Sequence, residues 1–94
     1  MITVKVKFLA VLAPLAKKKE KEYKLPENAT IKDLLLKIKS EEPQELVKRL
    51  LENNSLASDI LVFINGVEYS LLNKLNTILK NNDEIVFLPT IHGG

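Results

Sequence analysis

Few side chains in this 94-residue chain could do chemistry by themselves. There is no cysteine, so neither a disulfide nor a thiolate nucleophile is available. There is one histidine, too few for a zinc site of ordinary His/Cys ligand count. The sequence holds no glycine loop that would cradle a phosphate and no nucleophile–base pair. Asp83, Glu84, Glu41 and Glu42 are scattered carboxylates of the kind expected on solvated turns. The lysines at 17–19 read as a solvated loop tip. What remains is the end of the sequence, Thr90-Ile91-His92-Gly93-Gly94.

A glycine pair can thread a narrow channel, because its backbone passes where a Cβ would collide. Fully extended, Pro89 to Gly94 would reach roughly 20 Å at ~3.4 Å per residue. What such a channel would receive is the Gly94 α-carboxylate. Ionised at neutral pH, with a pKa of about 3.5, it is a poor electrophile. Transfer of AMP from ATP would turn it into a mixed anhydride with a good leaving group, open to attack by a sulfur or an amine. Nothing in the chain can perform that transfer, so this reading makes the protein a co-substrate and assigns catalysis to a partner. His92, with an ordinary pKa of about 6.5, could act as an acid or base at the carbonyl. A shape or hydrogen-bond contact inside the activating enzyme is the role expected for it. Because the glycines are already last, no extension removed by a protease is expected.

The elements that must position such a tail are legible. Ile2, Val4, Val6 and Phe8 alternate with Thr3, Lys5 and Lys7, which predicts a half-buried first strand. The stretch "LAVLAPLA" carries Pro14 and reads as a connector with one helical turn. Tyr23 and Leu25 lie one strand period apart, which predicts a second strand over 20–25, paired back on the first. Thr30 and Asp33 form a capping pair ahead of Ile31, Leu34, Leu35 and Ile38, a single apolar helical stripe. Pro43–Asn53 repeats that pattern as a second, shorter helix. Asp59–Tyr69 is β-branched and aromatic, with Asn65-Gly66 as its hairpin turn. The stretch 71–83 is irregular, anchored by Leu72, Leu75 and Leu79. Glu84–Pro89 is the last strand, ended by its proline.

At 46% hydrophobic and 28% charged, the composition is that of one globular α+β domain over 1–94, with a flexible tail at 89–94. A net charge of +2 and few aromatics give no case for direct nucleic-acid binding. No apolar run reaches membrane-spanning length and "MITVKVKFLA" is not a leader, so a cytoplasmic protein is expected. If Val62 and Ile64 face the helix, Phe63 lies on the open face of the sheet. Val86 and Leu88 join it if Ile85 and Phe87 turn inward, and such an apolar patch beside the tail would suit a docking partner.

The hairpin, the capped helix, the further strands and the terminal Gly-Gly resemble the ubiquitin-like β-grasp fold, a mixed sheet packed on one main helix with a second short helix. Within it, the chain is similar to the sulfur-carrier branch that includes MoaD and ThiS. The segment "ILVFINGVEYSLLNKLNTILKNNDEIVFLPTIHGG" is closest to the ubiquitin-related modifiers, which end in the form Thr-Leu-His-Gly-Gly. The similarity points to an archaeal member. MoaD proteins more often end Pro-Pro-Val-X-Gly-Gly, of which only Pro89 is kept; ThiS proteins are usually shorter and lack the second helix.

The resemblance implies that Gly94 is adenylated by a MoeB/ThiF-like activating enzyme, with Gly93, His92, Ile91 and Thr90 forming the recognised tail. It further implies conversion to a thiocarboxylate, which would serve a tRNA thiolation enzyme at wobble uridine, and conjugation to lysines of target proteins. ATP and a sulfur donor would be used by the partner, with no cofactor or metal bound by the chain. Two alternatives are a MoaD-type small subunit of molybdopterin synthase and a β-grasp interaction module with an inert tail.

Overall fold

The computed structural model describes residues 1–90. Strand β1 (Ile2–Phe8) buries Ile2, Val4, Val6 and Phe8. Helix α1 (Leu12–Ala16) is the expected turn, with Pro14 early enough that no intrahelical bond is lost. It stops at Lys17, whose left-handed φ of 62° lets Lys18 N–H reach the Ala13 carbonyl. Strand β2 (Glu20–Leu25) pairs antiparallel with β1, burying Tyr23 and Leu25.

Helix α2 (Ile31–Glu41) begins at the predicted capping box. Thr30 N–H donates to Asp33 Oδ2 at 2.9 Å, and Asp33 N–H donates to Thr30 Oγ1 at 3.4 Å. Its stripe of Ile31, Leu34, Leu35 and Ile38 is buried, and the sheet supplies the opposite wall of the core. Helix α3 (Gln44–Leu50) adds Leu46, Val47 and Leu50. It is shorter than the Pro43–Asn53 segment expected from sequence. Leu51 turns extended, and β3 (Leu51–Glu52) folds back on β4 (Ser55–Leu56). Asn53 and Asn54 make that turn at φ values of 52° and 63°. Asparagine tolerates the left-handed region, so the Asn-Asn pair ended the helical pattern that its leucines would have continued.

Strand β5 (Ile60–Ile64) turns through Asn65 and Gly66, at φ 51° and 84°, into the short β6 (Val67–Glu68). Two single-turn 3-10 helices follow, Tyr69–Leu71 and Lys74–Asn76. Leu79 is buried and Leu75 packs half-buried on the core, but Leu72 is 40% exposed and anchors nothing. Strand β7 (Glu84–Pro89) closes the sheet, whose order is β2-β1-β7-β5-β6. β7 runs parallel to β1 and antiparallel to β5. The mixed sheet with its principal helix is the β-grasp arrangement, with three α-helices among the described residues. No helix among the described residues is long and apolar enough to cross a membrane.

Candidate functional site

The last strand lies in the middle of the sheet, paired on both sides, and the described residues end just past it. On the β5 side, Asn65 N–H donates to the Glu84 carbonyl, which marks that pair as hydrogen-bonded. Every second pair then bonds: 63 with 86, 61 with 88, and 59 with 90. Ile60–Pro89 falls between them, so Pro89 removes no donor from the β5 ladder. Its ring nitrogen faces β1, whose pairing with β7 ends at Phe8 opposite Phe87. That is how a proline is accommodated inside a central strand.

The ladder continues one step past the proline. Thr90 N–H donates to the Asp59 carbonyl at 2.7 Å, and Thr90 Oγ1 donates to the same oxygen at 3.0 Å. Of the tail expected at 89–94, Pro89 is thus in the sheet and Thr90 is bonded to it. Ile91, His92, Gly93 and Gly94 lie outside the described residues.

Asp59 is itself held. It sits in a tight turn closed by Ile60 N–H donating to the Ala57 carbonyl at 3.0 Å. Its carboxylate takes two parallel bonds from Arg49 of α3, Nη1 to Oδ1 at 2.9 Å and Nη2 to Oδ2 at 2.7 Å. This planar fork is the strongest ion-pair geometry open to arginine.

Beside the exit lies the open face of the sheet. Val62, Ile64, Ile85 and Phe87 point into the core, so Leu61, Phe63, Val86 and Leu88 occupy the other side, each half-buried. Phe63 is directly opposite Val86, and Leu61 directly opposite Leu88. Phe63, Val86 and Leu88 are therefore together, and Leu61 is a fourth member. Polar neighbours frame them. Lys7 is opposite Val86 on the β1 side and lies 3.2 Å from Glu84, and Glu68 is opposite Phe63 on β6.

One polar cluster was not anticipated. Glu42 was expected on the solvated surface, yet its side chain is wholly enclosed. Lys18 Nζ donates to Oε1 at 2.6 Å, Lys21 Nζ to Oε2 at 2.8 Å, and the Tyr23 hydroxyl to Oε2 at 2.5 Å. Burial alone would push the Glu42 carboxyl up, but the bonds from Lys18, Lys21 and Tyr23 outweigh it and bring it down to about 2. Burial first, and then the Glu42 carboxylate, push the Tyr23 hydroxyl above its ordinary range. Lys18, expected at a solvated loop tip, is a member of this cluster. The carboxylate is fully satisfied and opens onto no reaction partner, so its role is to tie β2 and the α1–β2 loop to the end of α2.

Among the described residues, neither the exit nor the open face carries a nucleophile with a base. Among the described residues, no three metal-ligating side chains converge. The arrangement can present a backbone end and an apolar surface to something else.

Comparisons with known proteins agree with this geometry. The "Ubiquitin-related modifier 1 homolog" of Bombyx mori is 40% identical over 68 residues, which are 72% of this chain and 62% of that protein. The chain spans about three fifths of the length of the curated relatives it matches, 62% and 63% for the insect and human proteins. The small archaeal modifier protein 1 of Methanosarcina acetivorans superimposes with a TM-score of 0.82 at 30% identity, over 100% of this chain and 98% of that one. A putative molybdopterin converting factor, subunit 1, from Pyrococcus furiosus gives 0.78 at 28% identity, over 97% and 100%. The family model described as Urm1 (Ubiquitin related modifier) matches residues 3–94, and the chain belongs to the ubiquitin-related modifier family.

Proposed function

We propose that this protein is a ubiquitin-like sulfur carrier and protein modifier, acting in the cytoplasm as the co-substrate of a separate ATP-dependent activating enzyme. The observation that carries the reading is the family match, which extends through Gly94 on a domain whose last strand is central to the sheet. The Gly94 carboxylate attacks the α-phosphorus of ATP in the partner's site, releasing pyrophosphate and forming an acyl-adenylate. A sulfur donor then displaces AMP to give a thiocarboxylate for tRNA wobble-uridine thiolation, or a target lysine takes the acyl group as an isopeptide. Thr90, Ile91, His92 and Gly93 are read by the partner, and Leu61, Phe63, Val86 and Leu88 dock it. An apolar strip framed by Lys7 and Glu68 suits a protein surface better than a small ligand.

The test is the intact mass of the untagged protein from its native cell, with and without a thiol-trapping reagent. Replacement of one oxygen by sulfur at Gly94 is the expected result. A plain carboxylate in every molecule, under conditions that preserve thiocarboxylates, would count against sulfur transfer.

The likeness to a molybdopterin converting factor subunit supports a second reading, in which the tail delivers sulfur to a pterin precursor inside a large catalytic subunit. Co-purification with such a subunit separates the two. Deletion of Gly94 separates both from an interaction module with an inert tail, whose binding would survive it.

A further inference from the structure

A carrier tail must enter another protein's active site end first, so the direction in which it leaves its own domain matters. Among the described residues, the last contact of the chain with the domain is Thr90 on the Asp59 carbonyl, through two bonds to one oxygen. That oxygen belongs to a loop residue lying just before β5, outside the regular sheet. The turn from Ala57 to Ile60 closes the loop locally. Through its side chain Asp59 is joined to a rigid element by the two-point pair with Arg49, in the last turn of α3. The neighbouring residues Leu46 and Leu50 of that helix are fully buried, so Arg49 stands on a fixed base.

We propose that Arg49, acting through Asp59, is a positioning residue that fixes the direction in which the chain leaves the domain after Thr90. It thereby sets how the tail is presented to the activating enzyme. This rests on the carrier reading above. A single-point contact would let the Asp59 peptide rock about its own bonds. Two parallel bonds to a planar guanidinium hold both the position and the plane of the carboxylate, and lysine cannot reproduce that geometry. Arg49 and Asp59 are not members of the apolar patch of Leu61, Phe63, Val86 and Leu88. Their loss should misplace the carboxylate without weakening docking.

The absence of native cysteine allows a direct measurement. Spin labels at Lys32→Cys on α2 and His92→Cys in the tail report the spread of distances between domain and tail in the full-length free chain. Arg49→Met is expected to broaden that distribution, with only partial recovery in Arg49→Lys. Thr90→Val, which removes the hydroxyl bond and leaves the arginine in place, should broaden it as well and serves if Arg49→Met fails to fold. In label-free chains, ATP–pyrophosphate exchange by the adenylating enzyme of the same cell should lose about tenfold in kcat with Arg49→Met. KM should stay within about twofold, because the docking face is intact.

A wild-type distribution as broad as the variants' would overturn the proposal, as would a broadened tail with unchanged kcat; the carrier reading survives both outcomes. A wild-type chain that supports no exchange at any concentration would overturn the carrier reading and the proposal together.

Discussion

The Tyr23 hydroxyl donates to Glu42 Oε2 at 2.5 Å, joining edge strand β2 to the residue that caps α2. Lys18 and Lys21 complete the shell around the same carboxylate. The folded state therefore holds Glu42 ionised with a pKa of about 2, against an ordinary value of 4.5. A depressed carboxyl pKa stabilises the fold fully above the unfolded value, and that contribution is lost as pH falls toward the folded one. The window is thus pH 4.5 down to about 2. Over it the linkage corresponds to about 3 kcal/mol, at roughly 1.4 kcal/mol per pKa unit. Urea unfolding across a pH series should show wild-type stability dropping through this window. Glu42→Gln should be less stable at pH 7 and have a flatter acid limb. Parallel curves for the two proteins would show that the cluster does not govern acid sensitivity.

Tyr23→Phe isolates the hydroxyl from the lysines. The ring stays buried, but Glu42 Oε2 loses a donor in a place that water does not reach. The cost of such a loss is about 1–3 kcal/mol. For a domain of this size, that corresponds to a fall in melting temperature of roughly 4–8 °C per kcal/mol. Calorimetry at pH 7 checks it, and an unchanged midpoint would mean that the ammonium groups alone satisfy the carboxylate.

Gly66 has nothing within 4 Å of where a Cβ would sit, so a substitution there tests backbone strain alone. Its φ of 84° lies in the region that an L side chain resists. Gly66→Ala should destabilise by about 1 kcal/mol through strain, with no repacking of the core. A wild-type midpoint in thermal unfolding would show that the hairpin relaxes without cost.

The features legible in the sequence are those written locally. The alternation of Ile2 to Phe8, the Thr30–Asp33 cap and the Asn65-Gly66 turn each lie within a few residues, and each predicted its element. The open-face placement of Phe63 followed from period two once Val62 and Ile64 were set inward. What stayed hidden depends on partners far along the chain. Glu42 is followed by a proline and preceded by another glutamate, and nothing local distinguishes it from a solvated carboxylate. Its three partners lie 19 to 24 residues away. The Arg49–Asp59–Thr90 link likewise joins a helix, a loop and the end of a strand. The β3–β4 hairpin did have a signal, Asn53-Asn54, but the leucines on either side fit the helical pattern better.

The patch and the positioning link predict different kinetic signatures in the same exchange assay. Phe63→Ala removes half-buried apolar area from the proposed docking face and leaves Arg49, Asp59 and Thr90 in place. KM for the activating enzyme should rise by about tenfold, the cost of one good interface contact. The rate at saturation should be unchanged. A normal KM in a folded Phe63→Ala chain would remove Phe63 from the docking surface, and Leu88→Ala would then test whether the remaining apolar residues carry it.

Deleting Gly94 tests the end of the chain itself. The residue lies four positions beyond Thr90, so its removal should leave the melting temperature unchanged. It shortens the reach by ~3.4 Å, far more than the tolerance of a reacting carboxylate aligned against an α-phosphorus. Exchange activity should therefore vanish in a protein that folds normally and still binds the activating enzyme through Phe63, Val86 and Leu88. Competition separates the outcomes: the shortened chain should inhibit activation of the wild type, with an inhibition constant close to the wild-type KM. Loss of inhibition would mean that the tail supplies most of the recognition, and the open face of the sheet would need another purpose. Retained exchange would mean that the reacting carboxylate is not that of Gly94.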